Sequence, residues 1–115
     1  MNPQTSIGGK QLIQVVTTVE LLPDCLGDFL LILKETVPRV KAEEGCLGYE
    51  PMVDLDIGLP TQGKIRQNTV TLVEAWVNLD ALQAHLKATH MASFRKAAKD
   101  YVLGINHQVL QPLPS

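Results

Sequence analysis

Glu74, Trp76, His85 and His90 are the residues of this sequence whose types and spacing best suit chemistry. All four fall in one short run, EAWVNLDALQAHLKATHMASF, Glu74 to Phe94. An imidazole takes up and releases a proton near neutral pH, and an indole offers a broad apolar plane with one N–H at its edge. With one tryptophan and three histidines in 115 residues, their clustering marks the best candidate for a site. His85 follows Leu82 by one turn and adjoins Leu86, so it serves either as a proton acceptor at a pocket or as a helix histidine bonded to a backbone carbonyl. His90 falls in the first turn of a following helix, where the dipole disfavours imidazolium and keeps a neutral, proton-accepting ring; the alternative is simple packing against Phe94. Trp76 is a pocket wall or a core residue.

The elements that must position these residues are legible from periodicity. Gln11 to Val19 (QLIQVVTTV) is β-branched and follows Gly8 and Gly9, which predicts a first strand. Pro23 suits the first turn of a helix, and Leu22, Leu26, Phe29, Leu30, Leu33, Val37 and Val40 recur along one face to about Glu44. Gly45 is the expected left-handed cap, and Pro38, which lacks an N–H for Lys34, predicts a kink or break. Cys46 to Asp56 reads as a second strand whose Pro51 points to a sheet edge or a bulge. Ile57 to Asn68 reads as a loop or a loose hairpin extension.

Thr69 to Val77 (TVTLVEAWV) is the clearest strand, apolar on both faces. Asn78 is placed to cap a helix carrying Leu79, Leu82 and Leu86. Thr89 is placed to cap a further run from His90 to about Leu103, with His90, Phe94, Ala97, Ala98 and Tyr101 on one face. Ile105 to Leu110 reads as the last strand. The order is that of a split βαβ, ferredoxin-like α+β domain with helices on one face of a four-stranded antiparallel sheet.

One core suffices for 115 residues, so a single domain is expected, with its core at about residues 11–110. A net charge of −2 with dispersed charges argues against nucleic-acid binding. No apolar run reaches a membrane-spanning length and no secretory h-region is visible, which predicts a cytoplasmic protein with no membrane partner. Cys25 and Cys46 match no CxxC or zinc pattern and read as plain thiols. Helices cover one sheet face only, yet the third strand is apolar on both. A twofold homodimer with sheets packed face to face resolves the conflict.

The run Glu43-Glu44-Gly45-Cys46-Leu47-Gly48-Tyr49, then Glu74-x-Trp76 on a strand, then His85-Leu86 and His90 with Phe94, resembles the antibiotic biosynthesis monooxygenase family of dimeric α+β-barrel proteins, quinol monooxygenases among them. The resemblance spans roughly Gln11 to Leu110, with a longer Ile57 to Asn68 loop. It implies oxygen insertion into a quinol or other electron-rich aromatic, by molecular oxygen, without metal, flavin or other cofactor. Such chemistry needs a dry apolar pocket, a base for the phenolic proton and a group that orients the ring. On this reading His85 and His90 are the catalytic candidates, and Trp76, Tyr49, Asn78 and Phe94 contact the substrate. Glu74 is expected in a dimer-interface ion pair or hydrogen bond, and His107 to be surface-facing or structural.

Two other readings share the fold. Haem-degrading relatives of the same barrel carry an asparagine on the first strand, where this chain has only Gln11 and Gln14. A non-catalytic dimer that binds a small aromatic metabolite would use the same pocket.

Overall fold

Seven elements run in the order β1 (Ile13–Leu21), α1 (Leu26–Lys41), β2 (Cys46–Met52), β3 (Thr69–Trp76), α2 (Leu79–Lys87), α3 (Thr89–Ala98) and β4 (Val102–Leu110). They come from a computed structural model that describes residues 12–114. Gly8, Gly9 and Gln11, expected to open the first strand, lie outside the described residues.

The sheet order is β2-β3-β1-β4, antiparallel at every pair, which is the ferredoxin-like arrangement expected from the element order. Alternation in β1 sends Ile13, Val15, Thr17, Val19 and Leu21 inward. The β1–β3 register sets Ile13 opposite Trp76 and Val15 opposite Glu74, so β3 turns Val70, Leu72, Glu74 and Trp76 to the same side. Phe29, Leu33 and Val40 of α1 and Leu82, Met91 and Phe94 of α2 and α3 cover that side. Phe29 and Phe94 meet edge to face at 5.8 Å, joining α1 to α3. The opposite sheet face carries Val16 and Thr18 of β1 and Thr71, Val73 and Ala75 of β3, all half-buried, beside exposed Gln14 and Glu20.

Several boundaries differ from the sequence expectation. Helix α1 passes through Pro38 without a break and ends at Lys41. Proline there removes only its own bond to Lys34, while the fully buried Val40 holds the last turn against the core. Strand β2 stops at Met52, and as an edge strand it tolerates Pro51. Thr89 is the first residue of α3 rather than its cap: Ala88 occupies the cap position with no side-chain bond. Helix α3 ends at Ala98, and Val102 already pairs with Leu21, because β1 offers a ladder partner that helical periodicity does not register. In α2 the buried positions are Leu82 and His85, whereas Leu79 and Leu86 are exposed.

Gly45 has φ +83°, a backbone that suits glycine. Its carbonyl accepts the Val77 N–H at 2.8 Å. A Cβ there would lie 2.6 Å from the Ala81 Cβ and 2.8 Å from the Val77 Cγ1. The α1–β2 turn is thereby pressed against the start of α2, and that contact brings Glu43 to the histidines.

Candidate functional site

Strand alternation delivers Glu74 and Trp76 to the helix-covered face, and the edge register sets Tyr49 of β2 directly beside Glu74. Asn78 starts α2, its Oδ1 accepting the Ala81 N–H at 2.8 Å, and two turns later the helix points His85 inward. His85 is 2% exposed and Glu74 4%. The imidazole lies over the Trp76 indole, ring centres 4.5 Å apart and planes 33° apart, with the Tyr49 ring 5.7 Å away.

Two carboxylates organise the polar groups. Glu43 Oε2 lies 2.9 Å from His85 Nδ1 and 2.7 Å from His90 Nε2. Because a carboxylate only accepts, both of these nitrogens carry hydrogen. Glu74 Oε1 accepts the Trp76 indole N–H at 3.1 Å, and its Oε2 accepts the Thr17 hydroxyl at 3.0 Å. The Thr17 hydrogen is committed to Glu74, so His107 Nδ1–H donates to Thr17 Oγ1, 2.9 Å away. His85 Nε2 lies 4.0 Å from Glu74 Oε1. The result is a polar line from His107 through Thr17 and Glu74 to His85, Glu43 and His90. Among the described residues no buried side-chain polar atom lacks a partner.

These groups border a cavity of about 220 Å³ between the sheet and α2–α3. Val15, Val19, Leu72, Leu82, Met91 and Phe94 form its apolar walls, while Thr17, Tyr49, Glu74, His85, His107 and Arg95 supply its polar groups. Burial, reinforced by the Glu74 and Glu43 carboxylates, holds the Tyr49 phenol well above its ordinary range, so it stays a neutral hydroxyl. Burial likewise raises the Cys46 thiol; Cys46 and Cys25 are both free and half-buried. Among the described residues no group of three or more His, Cys, Asp or Glu side chains is arranged to hold a metal ion.

The structure brings some expected site residues together and separates others. His85, Tyr49 and Phe94 line the cavity. Trp76 sits behind His85, fully buried, and supports the ring instead of walling the cavity. His90 reaches the site only through Glu43, and Asn78 is occupied as the α2 cap. Glu74, expected at a dimer interface, lies on the helix-covered side instead, because the register pairs it with Val15 on that face. His107, expected to be surface-facing or structural, is on an exposed stretch of β4 yet lines the cavity and bonds Thr17.

Thr17 and Arg95 were not singled out in the sequence, and Glu43 figured only in the run that carries the family resemblance, with no site role. The β1 alternation was enough to place Thr17 inward. Glu43 is 42 residues from His85, and no local spacing links them.

The sequence pattern of the antibiotic biosynthesis monooxygenase family matches residues 12–97, from β1 nearly to the end of α3. The chain belongs to this family. A curated relative, "Probable quinol monooxygenase YgiN" of Escherichia coli K12, is 41% identical over 76 residues, 66% of this chain and 72% of the relative. Solved structures agree on the fold. A conserved protein from Methanosarcina mazei superposes with a TM-score of 0.75 at 17% identity, covering 89% of this chain and 93% of its own. A Nitrosomonas europaea protein reaches a TM-score of 0.77 at 13% identity, covering 90% and 92%. Among the described residues no helix is long and apolar enough to cross a membrane.

Proposed function

We propose that this protein is a cofactor-independent monooxygenase of quinols or similarly electron-rich aromatics, with His85 as the base. The observation that carries the reading is the placement of that ring. It lines the apolar cavity with Nδ1 2.9 Å from the Glu43 carboxylate, while Nε2, 4.0 Å from Glu74 Oε1 and outside hydrogen-bond reach of it, is the nitrogen free to accept a proton. The likeness to a quinol monooxygenase relative supports the substrate class.

The stoichiometry closes on substrate and oxygen alone. A quinol and O₂ give a hydroxyquinone and water: oxidation of the quinol releases two electrons, and conversion of a ring C–H to C–OH releases two more. His85 Nε2 takes a phenolic proton, and the quinolate passes an electron to oxygen. Recombination forms a ring C–O bond, the outer peroxide oxygen takes the proton back from His85, and loss of water breaks the O–O bond as the ring C–H proton leaves. The apolar inner walls of Val15, Val19, Leu72 and Leu82 hold the ring and the reduced oxygen together. Neutral Tyr49 donates a hydrogen bond to a substrate oxygen.

An oxygen electrode with metal-stripped protein and a panel of hydroquinones tests this. Uptake above autoxidation that falls roughly 100-fold or more in His85→Ala, within the range for loss of a general base, is the expected result. Ligand-induced thermal shifts without uptake would make the protein a binder of aromatics and end the oxygenase reading.

The same reading makes the protein a homodimer through its second sheet face, where Val73 and Ala75 are half-buried with no helix over them among the described residues. Light scattering at micromolar concentration should give twice the chain mass, and Val73→Lys should give monomers. It also keeps the protein in the cytoplasm, where free thiols such as Cys25 and Cys46 stay reduced.

A further inference from the structure

We infer that Glu43 is the positioning residue of this site and that His90 acts only through it. The inference rests on the reading of His85 as a base. A neutral imidazole in water populates both tautomers, and only the one with hydrogen on Nδ1 leaves Nε2 free to take a proton. Glu43 selects that tautomer, since its Oε2 lies 2.9 Å from His85 Nδ1 and cannot donate. When His85 receives the substrate proton, the new imidazolium sits against the Glu43 carboxylate. The stabilisation therefore grows as the proton moves, which lowers the barrier instead of only tightening binding.

His90 bonds the same oxygen at 2.7 Å and is not among the residues that line the cavity. It belongs to α3, whereas Glu43 belongs to the α1–β2 turn and His85 to α2. A second donor on Oε2 fixes the carboxylate from a third element, so that it presents one orientation to His85. The side chains of Glu43 and His90 are 13% and 23% exposed, so the pair is largely shielded from competing water. Neither residue touches the substrate; each works by what it does to His85.

The test combines ¹⁵N NMR of the imidazole nitrogens with steady-state kinetics on a hydroquinone. At alkaline pH, wild-type His85 should show hydrogen on Nδ1 and a bare Nε2, and His90 the reverse. Glu43→Ala should leave His85 a mixture of tautomers. It should lower kcat about 100-fold, within the range attributed to a general base, and leave KM within about twofold. Glu43→Asp should recover part of that loss. His90→Ala should lower kcat severalfold at most, and the double variant Glu43→Ala/His90→Ala should be no slower than Glu43→Ala alone. If Glu43→Ala does not fold, Glu43→Gln takes its place, with a smaller kcat loss expected.

Hydrogen on His85 Nε2 in the wild type, an undiminished kcat without the Glu43 carboxylate, or losses that multiply in the double variant would each overturn the inference. A wild type that consumes no oxygen overturns the oxygenase reading instead, and the NMR arm still decides whether Glu43 sets the tautomer.

Discussion

Two regions of this molecule hold a carboxylate against N–H donors at similar distances, and they differ in nearly everything that follows. In the loop between β2 and β3, Asp54 engages Arg66 through both the backbone N–H and Nε–H at 2.9 Å and through the guanidinium Nη2 at 2.6 Å. At the cavity, Glu43 and Glu74 accept from His85, His90, Trp76 and Thr17 at 2.7 to 3.1 Å. In the loop pair the Arg66 side chain is 46% exposed and the Asp54 side chain 16%, so water competes for the guanidinium and geometry alone does not make the pair a source of stability. Glu74 is 4% exposed, so only the cavity itself could supply a replacement for a lost partner, and removing the carboxylate leaves the buried Trp76 N–H without its acceptor. Distance describes both sets equally well; burial decides what they do.

Glu74→Ala breaks the comparison hardest. It strands the Trp76 N–H and the Thr17 hydroxyl in the core and should lower unfolding free energy by about 3 kcal/mol in urea melts. A loss below about 1 kcal/mol would mean that water reaches Glu74 as freely as it reaches Asp54.

A pair of glycine variants separates strain from packing. Gly45 (φ +83°) and Gly58 (φ +72°) share the left-handed backbone, but a Cβ at Gly58 meets nothing within 4 Å. Gly58→Ala should cost about 1 kcal/mol, the left-handed strain alone. Gly45→Ala adds contact with Ala81 and should cost about 2–3 kcal/mol and lower activity by displacing Glu43 from His85. Equal costs would show that the turn yields without disturbing α2.

The two regions also respond to opposite ends of the pH scale. Burial raises Tyr49 above its ordinary value of 10.0, so the unfolded chain loses the phenolic proton first and stability falls as pH rises past about 10. Tyrosinate absorbance that appears only with unfolding is the expected signature. Arg66 holds Asp54 at about 2, below its ordinary 3.8, so that contribution is present above the ordinary value and fades as pH falls through about 2. Its effect should be the smallest. Asp54→Asn should leave the urea midpoint unchanged at pH 7 while speeding hydrogen exchange at the Arg66 amide.

Much of the fold was written in local patterns. The alternation in β1 and β3, the Asn78 cap, the Gly45 turn and the edge Pro51 each follow from one residue's own conformational preference, which neighbours a few positions away leave unchanged. The points that failed were those where distant packing overrode local preference: the last turn of α1 past Pro38, the early end of α3, and Leu79 outside the core while His85 is inside. The site was legible only in part, for the same reason. His85 stood out by type and spacing, and Tyr49 and Phe94 were named through the family resemblance; all three line the cavity, whereas Trp76 and Asn78 support the ring and the helix. Glu43 stood only at the head of the run that carries the family resemblance, with nothing local to link it to the histidines.

By itself, then, the sequence determined the order of elements, the side each strand turns inward, and the family to which the chain belongs, because periodicity and backbone preference act over a few residues. Only the tertiary structure decided that Glu74 faces the cavity beneath the helices, and that one oxygen of Glu43 joins His85 to His90. Those outcomes depend on strand register and on how closely the Gly45 turn approaches α2, and both are set by contacts between residues dozens of positions apart.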